Sequence, residues 1–151
     1  MIEGKFLKFE DGLSCVLEIR KKVFVEELGL PMDSLSDDLD SGSEHVIVFN
    51  EKHQVVAAGR LSLIDEEFWI SQVVVLKEER GKYYGDFVVR MLADKAFRNG
   101  RSKVLVKADE NSFHFFIKLG FTIMETVLDE HNSKLIIMKL DKNHLYKKCC
   151  N

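Results

Sequence analysis

The chain has 151 residues, enough for one domain that buries its own core. Its net charge is −3 and its basic residues form no block, which argues against nucleic acid or an anionic membrane as a main partner. No apolar run approaches the roughly 20 residues that cross a membrane, and the first residues lack the apolar region of a signal peptide. We therefore expect a cytoplasmic protein.

Periodic apolar residues predict a single mixed α/β domain at 1–141, followed by a C-terminal tail at 142–151. Alternation predicts strands, recurrence every three or four residues predicts helices, and Gly and Pro mark their ends. In chain order we predict a strand at 5–10, a helix at 13–28, a polar acidic loop at 32–44, strands at 45–49, 55–63 and 68–76, a helix at 84–99, a strand at 103–108, a helix at 111–118, and strands at 121–127 and 135–140.

This order of elements predicts a mixed, mostly antiparallel sheet of about seven strands with helices on both faces. Only the crossover from 68–76 to 103–108, through the long helix, must be parallel. The turn before that helix therefore lies at the carboxyl end of a strand, where open α/β sheets usually bind ligands.

The turn from Arg80 to Gly85 has the composition of an anion site. A glycine-containing turn that leads directly into a helix leaves several backbone N–H groups unpaired, and these bind phosphate well. Arg80 and Lys82 add full positive charge. The turn lacks the Gly-Lys-Ser/Thr ending of a nucleotide P-loop and the three-glycine spacing of a dinucleotide fingerprint. We therefore predict a different phosphorylated cofactor.

The three cysteines indicate neither a disulfide framework nor a metal centre. Cys15 lies in a helical pattern, and Cys149 and Cys150 are adjacent near the C-terminus. An odd number without metal-ligand spacing argues against zinc, so we predict no metal. We expect the adjacent pair to have no redox role.

The turn resembles the acetyl-CoA signature of the GNAT superfamily of N-acetyltransferases, Arg/Gln-x-x-Gly-x-Gly/Ala. Arg80 and Gly85 match it, whereas Tyr83 replaces the central glycine. Other segments, in the same order, resemble the ElaA-like branch of that family, and together they cover roughly residues 13–140. These segments are Ile19–Glu27, the acidic loop followed by His45, Ala58–Leu61, Gln72–Val75 and Phe115–Phe121.

The resemblance implies a GNAT-like sheet that splays between its two parallel central strands and binds acetyl-CoA (coenzyme A). The N–H groups of the turn would receive the diphosphate, and one strand backbone would pair with the pantetheine arm. The side chain of Tyr83 must then point outward. The implied cofactor-binding residues are Val73, Val74, Val75, Arg80, Gly81, Lys82, Tyr83, Tyr84, Gly85, Asp86, Asp109, Asn111 and Phe116.

The resemblance also implies direct transfer of an acetyl group to a primary amine of a small molecule or peptide. Because the amine must lose a proton, a general base is useful, and the predicted catalytic candidates are Glu26, Glu27 and His45. Each has an alternative: the glutamates as solvated helix residues, and His45 as a packed core residue. Phe116 stands where the family often has the tyrosine that protonates the leaving thiolate.

Three further questions stay open at this point. The acidic loop is expected to be mainly solvated, although Asp40 is a further base candidate, and Arg60 is expected to pair with an acidic residue of that loop. A non-catalytic acyl-CoA sensor and a regulatory domain that binds phosphate are alternative functions. Edge strands near the C-terminus could pair two subunits into a homodimer.

Overall fold

The computed structural model describes residues 2–144. Met1 and residues 145–151, with the predicted pair Cys149 and Cys150, lie outside the described part of the chain. The helices and strands are β1 (Glu3–Leu7), α1 (Ser14–Arg20), β2 (Glu44–Phe49), β3 (Val55–Ile64), β4 (Glu67–Val75), α2 (Tyr84–Arg98), β5 (Lys103–Ala108), α3 (Phe113–Leu119), β6 (Thr122–Leu128) and β7 (Lys134–Asp141).

The seven strands form one sheet in the order β1-β2-β3-β4-β5-β7-β6. β2 pairs antiparallel with β1 and β3, and β7 pairs antiparallel with β5 and β6. β4 and β5 are the predicted parallel pair. The predicted fold class is therefore confirmed.

The chain divides into two compact units. Within residues 2–144, the first comprises residues 2–62 with Ile70–Leu92, and the second comprises Leu63–Trp69 with residues 93–144. The predicted boundary at residue 141 stays a prediction. Among residues 2–144, no helix is long and apolar enough to cross a membrane, and no cluster of His, Cys, Asp and Glu could hold a metal ion.

In the first unit, helices pack on both faces of the sheet. Ile47 lies opposite Ala58 across β2 and β3, and both join Val16 of α1 in one buried apolar cluster. The neighbouring Gly59 faces the other side, where a Cβ atom would lie 2.5 Å from Cγ1 of Val88 on α2. Because side chains alternate along a strand, the consecutive residues Ala58 and Gly59 of β3 face α1 and α2, respectively.

The helix predicted at 13–28 consists of two kinds of helix. α1 ends at Arg20, and the chain continues as a π-helix over Lys21–Glu27. The backbone N–H of Leu28 donates to the carbonyl of Val23, five residues earlier, at 3.0 Å. A π-helix turns less per residue than an α-helix, so its last two glutamates point in directions that an α-helix would not give them.

Two predicted boundaries differ from the structure for local reasons. The strand predicted at 5–10 lies at Glu3–Leu7, because a 3₁₀ turn forms at Phe9–Asp11. The helix predicted at 111–118 begins at Phe113, because the preceding residues form a turn around Asp109.

In the second unit, the paired strands β5 and β7 carry buried apolar side chains. Val104 and Val106 are fully buried opposite Leu140 and Met138. β6 forms the edge beyond β7, and its register shifts between Ile123 and Glu125.

Candidate functional site

The loop between β4 and α2 presents a row of free backbone N–H groups. Within residues 2–144, the N–H groups from Gly81 to Asp86 have no hydrogen-bond acceptor, and the next one, on Phe87, donates to the carbonyl of Tyr83 at 3.1 Å. The first turn of any helix lacks internal acceptors for its N–H groups. Gly81 and Tyr83 have φ values of 80° and 69°, and such left-handed residues help successive N–H groups converge into an anion-binding concavity.

Tyr83, which replaces the glycine of the signature, does not obstruct this row. Its side chain is 74% exposed, in agreement with the expectation that it points outward. The next residue, Tyr84, is buried and anchors the start of α2. The side chain of Tyr83 therefore leaves the N–H groups of this loop without an obstruction from its own ring.

Both cationic side chains of the loop are paired with carboxylates. Arg80 Nη1 and Nη2 donate to Oε2 and Oε1 of Glu27, each at 2.7 Å. Lys82 Nζ donates to Oε2 of Glu79 at 3.0 Å. The hydrogen bond from Arg80 lowers the pKa of Glu27, and the hydrogen bond to Glu79 raises the pKa of Lys82. The positive charge that the sequence suggested for this loop is therefore largely compensated within the protein.

Arg80 also reaches the end of β4. Its Nε and Nη2 donate to the carbonyl of Val75 at 3.2 and 3.1 Å. One guanidinium thus connects the π-helix that carries Glu27 with the strand end that precedes the loop.

β4 contains a backbone irregularity next to the predicted pantetheine contacts. Gln72 has φ 54°, a left-handed conformation that interrupts a regular strand and redirects the backbone around it. Val73 and Val75 are half-buried, whereas Val74 is buried in the core cluster with α1. The side chain of Val74 therefore serves packing, and any role at the site falls to its backbone.

A buried ion network lies beneath the acidic loop. Arg20 Nη1 and Nη2 donate to Asp40 at 2.9 and 3.1 Å, and Arg60 Nη1 donates to Oδ1 of Asp40 at 2.9 Å. Burial would raise the pKa of Asp40, but the hydrogen bonds from Arg20 and Arg60 outweigh it and hold this pKa well below its usual range. The expectation of a solvated loop is wrong for Asp40, which is 2% exposed. The predicted pairing of Arg60 with this loop is confirmed and includes Asp37 at 2.6 Å.

His45 is part of the same buried region. It is 0% exposed, and its Nε2 lies 3.0 Å from the carbonyl oxygen of Asp40. Since a carbonyl only accepts hydrogen bonds, Nε2 carries the proton, and Nδ1 is left without a partner among the described residues. Burial lowers the pKa of His45, against the opposing effect of the Asp40 carbonyl. This position favours the packing alternative over contact with a substrate.

The two adjacent glutamates of the π-helix have different surroundings. Glu27 is held by Arg80, as described above. Glu26 is exposed and forms no hydrogen bond or ion pair with any described residue. Of the three predicted base candidates, Glu26 is the carboxylate that is free to accept a proton.

The remaining predicted cofactor residues belong to the second unit. Oδ1 of Asp109 accepts hydrogen bonds from the backbone N–H groups of Asn111 and Ser112 at 3.0 and 2.8 Å, so this carboxylate orders the turn into α3. The buried ring of Phe116 packs edge-to-face on Phe121, with centroids 5.2 Å apart.

The sequence prediction missed Glu79 and Ser71. Glu79 lies three residues before Lys82, and this spacing was a usable signal for an ion pair. Ser71 of β4 accepts a hydrogen bond at 3.0 Å from Nε of Arg60 on β3, and no local sequence pattern predicts this contact.

Comparison with known proteins agrees with this architecture. Residues 14–142 match the family model described as an acetyltransferase (GNAT) domain. The chain is 28% identical over 117 residues to the "Uncharacterized N-acetyltransferase YjcF" of Bacillus subtilis (strain 168). The aligned region covers 78% of this chain and 83% of that protein.

Solved structures share the fold, and two of them are described below. Escherichia coli ElaA superposes with a TM-score of 0.77 at 22% identity, over 93% of this chain and 100% of that one. An aminoglycoside 6'-N-acetyltransferase complexed with coenzyme A gives a TM-score of 0.75 at 11% identity, over 92% and 96%. The family-model match over most of the chain shows that this protein belongs to the GNAT acetyltransferase family.

Proposed function

We propose that the protein is an acetyl-CoA-dependent N-acetyltransferase that acts directly on a primary amine of a small molecule or peptide. The observation that carries this proposal is the row of free backbone N–H groups from Gly81 to Asp86 at the start of α2. Such a row, at the positive end of a helix dipole, is suited to a diphosphate. The residues present therefore fit the diphosphate of coenzyme A.

The backbone of β4 is the proposed partner of the pantetheine arm. Val73 and Val75 follow the left-handed Gln72, where the backbone departs from regular strand geometry. A backbone segment of this kind can pair with the amide groups of an extended ligand, as an added strand would. The aminoglycoside enzyme of similar fold was solved with coenzyme A, which supports the choice of cofactor.

The chemistry we propose is one acyl transfer. The amine nitrogen forms a bond to the thioester carbonyl carbon, the C–S bond breaks, and the sulfur leaves with the electron pair. An alkylamine with a pKa near ~10.4 is almost wholly protonated at pH 7, so it needs a base. Glu26 is our first choice for that base, since it is exposed and unpaired within residues 2–144. Phe116 has no hydroxyl group and cannot donate a proton to the sulfur. Coenzyme A would therefore leave as a thiolate, whose conjugate thiol has a pKa near ~8.5.

The charge of the segment at 26–44 favours a cationic acceptor. This segment has no basic residue and seven acidic ones, Glu26, Glu27, Asp33, Asp37, Asp38, Asp40 and Glu44. Arg20 and Arg60 compensate Asp40 and part of Asp37, and Arg80 compensates Glu27. The other four carboxylates remain to attract a protonated amine.

A non-catalytic acyl-CoA-binding module is the second candidate. Phe116 favours it, because its side chain cannot assist the leaving thiolate, and so does the pairing of Glu27 with Arg80. A cytoplasmic location and a homodimer through the C-terminal edge strands remain predictions beside both candidates.

A turnover assay separates these functions. The protein is incubated with acetyl-CoA and a panel of primary amines and peptides, and free thiol and acetylated product are measured. Turnover above the spontaneous rate supports the transferase, whereas cofactor binding without turnover on any amine supports the module. Competition between inorganic phosphate, ADP and coenzyme A tests the third alternative: equal binding of all three indicates a site for phosphate alone.

A further inference from the structure

Four of the five N–H groups of the Arg80 guanidinium are engaged at the point where the loop between β4 and α2 begins. Four hydrogen bonds join it to the carboxylate of Glu27 and the carbonyl of Val75, and they use all three of its nitrogens. Both oxygens of Glu27 are occupied in return. A cation that the proposed function would use for the cofactor is therefore held by a carboxylate of the π-helix.

A diphosphate bound to the loop would compete with Glu27 for this cation. The free N–H groups start at Gly81, the residue next to Arg80. A guanidinium matches the geometry of carboxylate and phosphate oxygens equally well, through the same pair of N–H groups. The pair is partly open to solvent, with Arg80 45% and Glu27 19% exposed, so solvent screens it and a second anion can reach the guanidinium.

We propose that Glu27 and the diphosphate of the cofactor exchange places at Arg80, so that the carboxylate of Glu27 becomes free for the acceptor amine only after the cofactor has bound. This inference rests on the proposed function. It makes Arg80 and Glu27 positioning residues that couple the two substrates, and it implies that the cofactor binds first. Once released, Glu27 adds a second uncompensated negative charge to the π-helix that carries Glu26, and this charge favours a protonated amine.

The opposing model is a permanent brace, in which the Arg80–Glu27 pair ties the π-helix to the end of β4 whether or not cofactor is bound. The two models differ in what they expect of Glu27→Gln. If Glu27 competes with the diphosphate, its neutralisation helps the cofactor to bind. If Glu27 braces the site, its loss leaves binding unchanged or weakens it.

Calorimetric titration with coenzyme A and with ADP tests this difference. ADP carries the diphosphate without the pantetheine arm, so an effect located at Arg80 must occur with both ligands. Glu78→Gln is the matched control, because Glu78 is exposed, lies two residues before Arg80, and forms no ion pair with any described residue. Five proteins are titrated: wild type, Glu27→Gln, Glu78→Gln, Arg80→Ala and the double variant Glu27→Gln/Arg80→Ala.

We expect Glu27→Gln to bind both ligands about two- to fivefold more tightly than Glu78→Gln does, the size expected for the loss of a partly exposed ion pair. The double variant should show no such gain over Arg80→Ala alone. An equal or weaker affinity of Glu27→Gln, or a gain that persists without Arg80, overturns the exchange.

A second measurement uses the wild-type chain and does not depend on any variant folding. Carbon-detected NMR follows the titration of the Glu27 carboxyl group with and without coenzyme A. Exchange predicts that the depressed pKa of Glu27 rises when coenzyme A binds, and an unchanged titration overturns it. If the folded wild-type protein binds no coenzyme A at all, the proposed function itself has failed, which is distinguishable from failure of the exchange alone.

Discussion

Arg20 and Asp40 form a doubly hydrogen-bonded ion pair that is shielded from solvent, with N–O distances of 2.9 and 3.1 Å. The same carboxylate receives Arg60, whose Nε donates to Ser71, the residue before the left-handed Gln72 of β4. One buried anion thus links α1, the acidic loop, β3 and the part of β4 proposed to meet the cofactor.

Replacing Asp40 should therefore destabilise the protein strongly. In Asp40→Asn, the buried guanidinium of Arg20 loses its counter-charge and that of Arg60 keeps only Asp37, which costs about 3–5 kcal/mol of the free energy of unfolding. Urea unfolding at pH 7 measures it. Asp38→Asn removes the same charge from an exposed neighbour outside this network and should change stability by less than about 0.5 kcal/mol. Similar losses in the two variants would contradict this account of the network.

The buried His45 should make the protein less stable as the pH falls below neutrality. Burial lowers its pKa in the folded state, where Arg20, Arg60 and Asp40 act on it, whereas the unfolded chain takes up a proton near pH ~6.5. Below that pH the unfolded state binds more protons, so the free energy of unfolding decreases.

Urea unfolding of wild type and His45→Gln at pH 8 and pH 5.5 tests this sign. We expect the variant to lose less stability between the two pH values than wild type loses. His131→Gln, at a position where the side chain is 81% exposed, should behave like wild type. Equal losses in wild type and His45→Gln would show that His45 does not titrate as a buried neutral group.

Gly59 is required for close packing of α2 on the sheet. A Cβ at this position would lie 2.5 Å from Cγ1 of Val88 and 2.9 Å from Cδ1 of Leu92. Gly59→Ala should therefore cost about 1–3 kcal/mol, and a chain of this length should lose roughly 2–4 °C of Tm per kcal/mol. Gly42→Ala is the control, because no other described atom would lie within 4 Å of its Cβ. An unchanged Tm in Gly59→Ala would mean that α2 packs less tightly than the structure indicates.

Side chains added at Gly85 should weaken cofactor binding in proportion to their size. Gly85 lies within the row of free N–H groups, where a ligand must approach the backbone closely. We expect Gly85→Leu to raise the Kd for coenzyme A about tenfold or more, and Gly85→Ala to raise it less. Calorimetry measures the Kd, and circular dichroism confirms that each variant is folded. Equal affinities across the series would place the diphosphate elsewhere.

The sequence predicted the elements that depend on local pattern. The strand at 103–108 lies where predicted, and the long helix ends one residue early. Both follow from apolar periodicity and glycine-marked ends, which need no knowledge of distant residues. The resemblance to the ElaA-like branch adds the family, which apolar periodicity alone does not identify.

The features that the sequence did not reveal depend on contacts between distant positions. Glu27 and Arg80 are 53 residues apart in sequence. Their pairing engages both the predicted base candidate and the predicted cation of the cofactor site, which the sequence did not indicate. From the sequence, Asp40 resembles the other residues of a solvated acidic loop. In the structure it is buried against Arg20 and Arg60. The π-helix at Lys21–Glu27 has the same apolar spacing as an α-helix over so few residues.

The proposed function requires that the backbone N–H groups from Gly81 to Asp86 bind the diphosphate of coenzyme A. Titration of ¹⁵N-labelled protein with acetyl-CoA, followed by NMR of the backbone amides, observes these groups one by one. We predict that the amide signals of these residues shift and saturate together, while that of Gly100, beyond the opposite end of α2, stays in place. A folded protein whose Gly81–Asp86 signals do not move at saturating acetyl-CoA would contradict the claim.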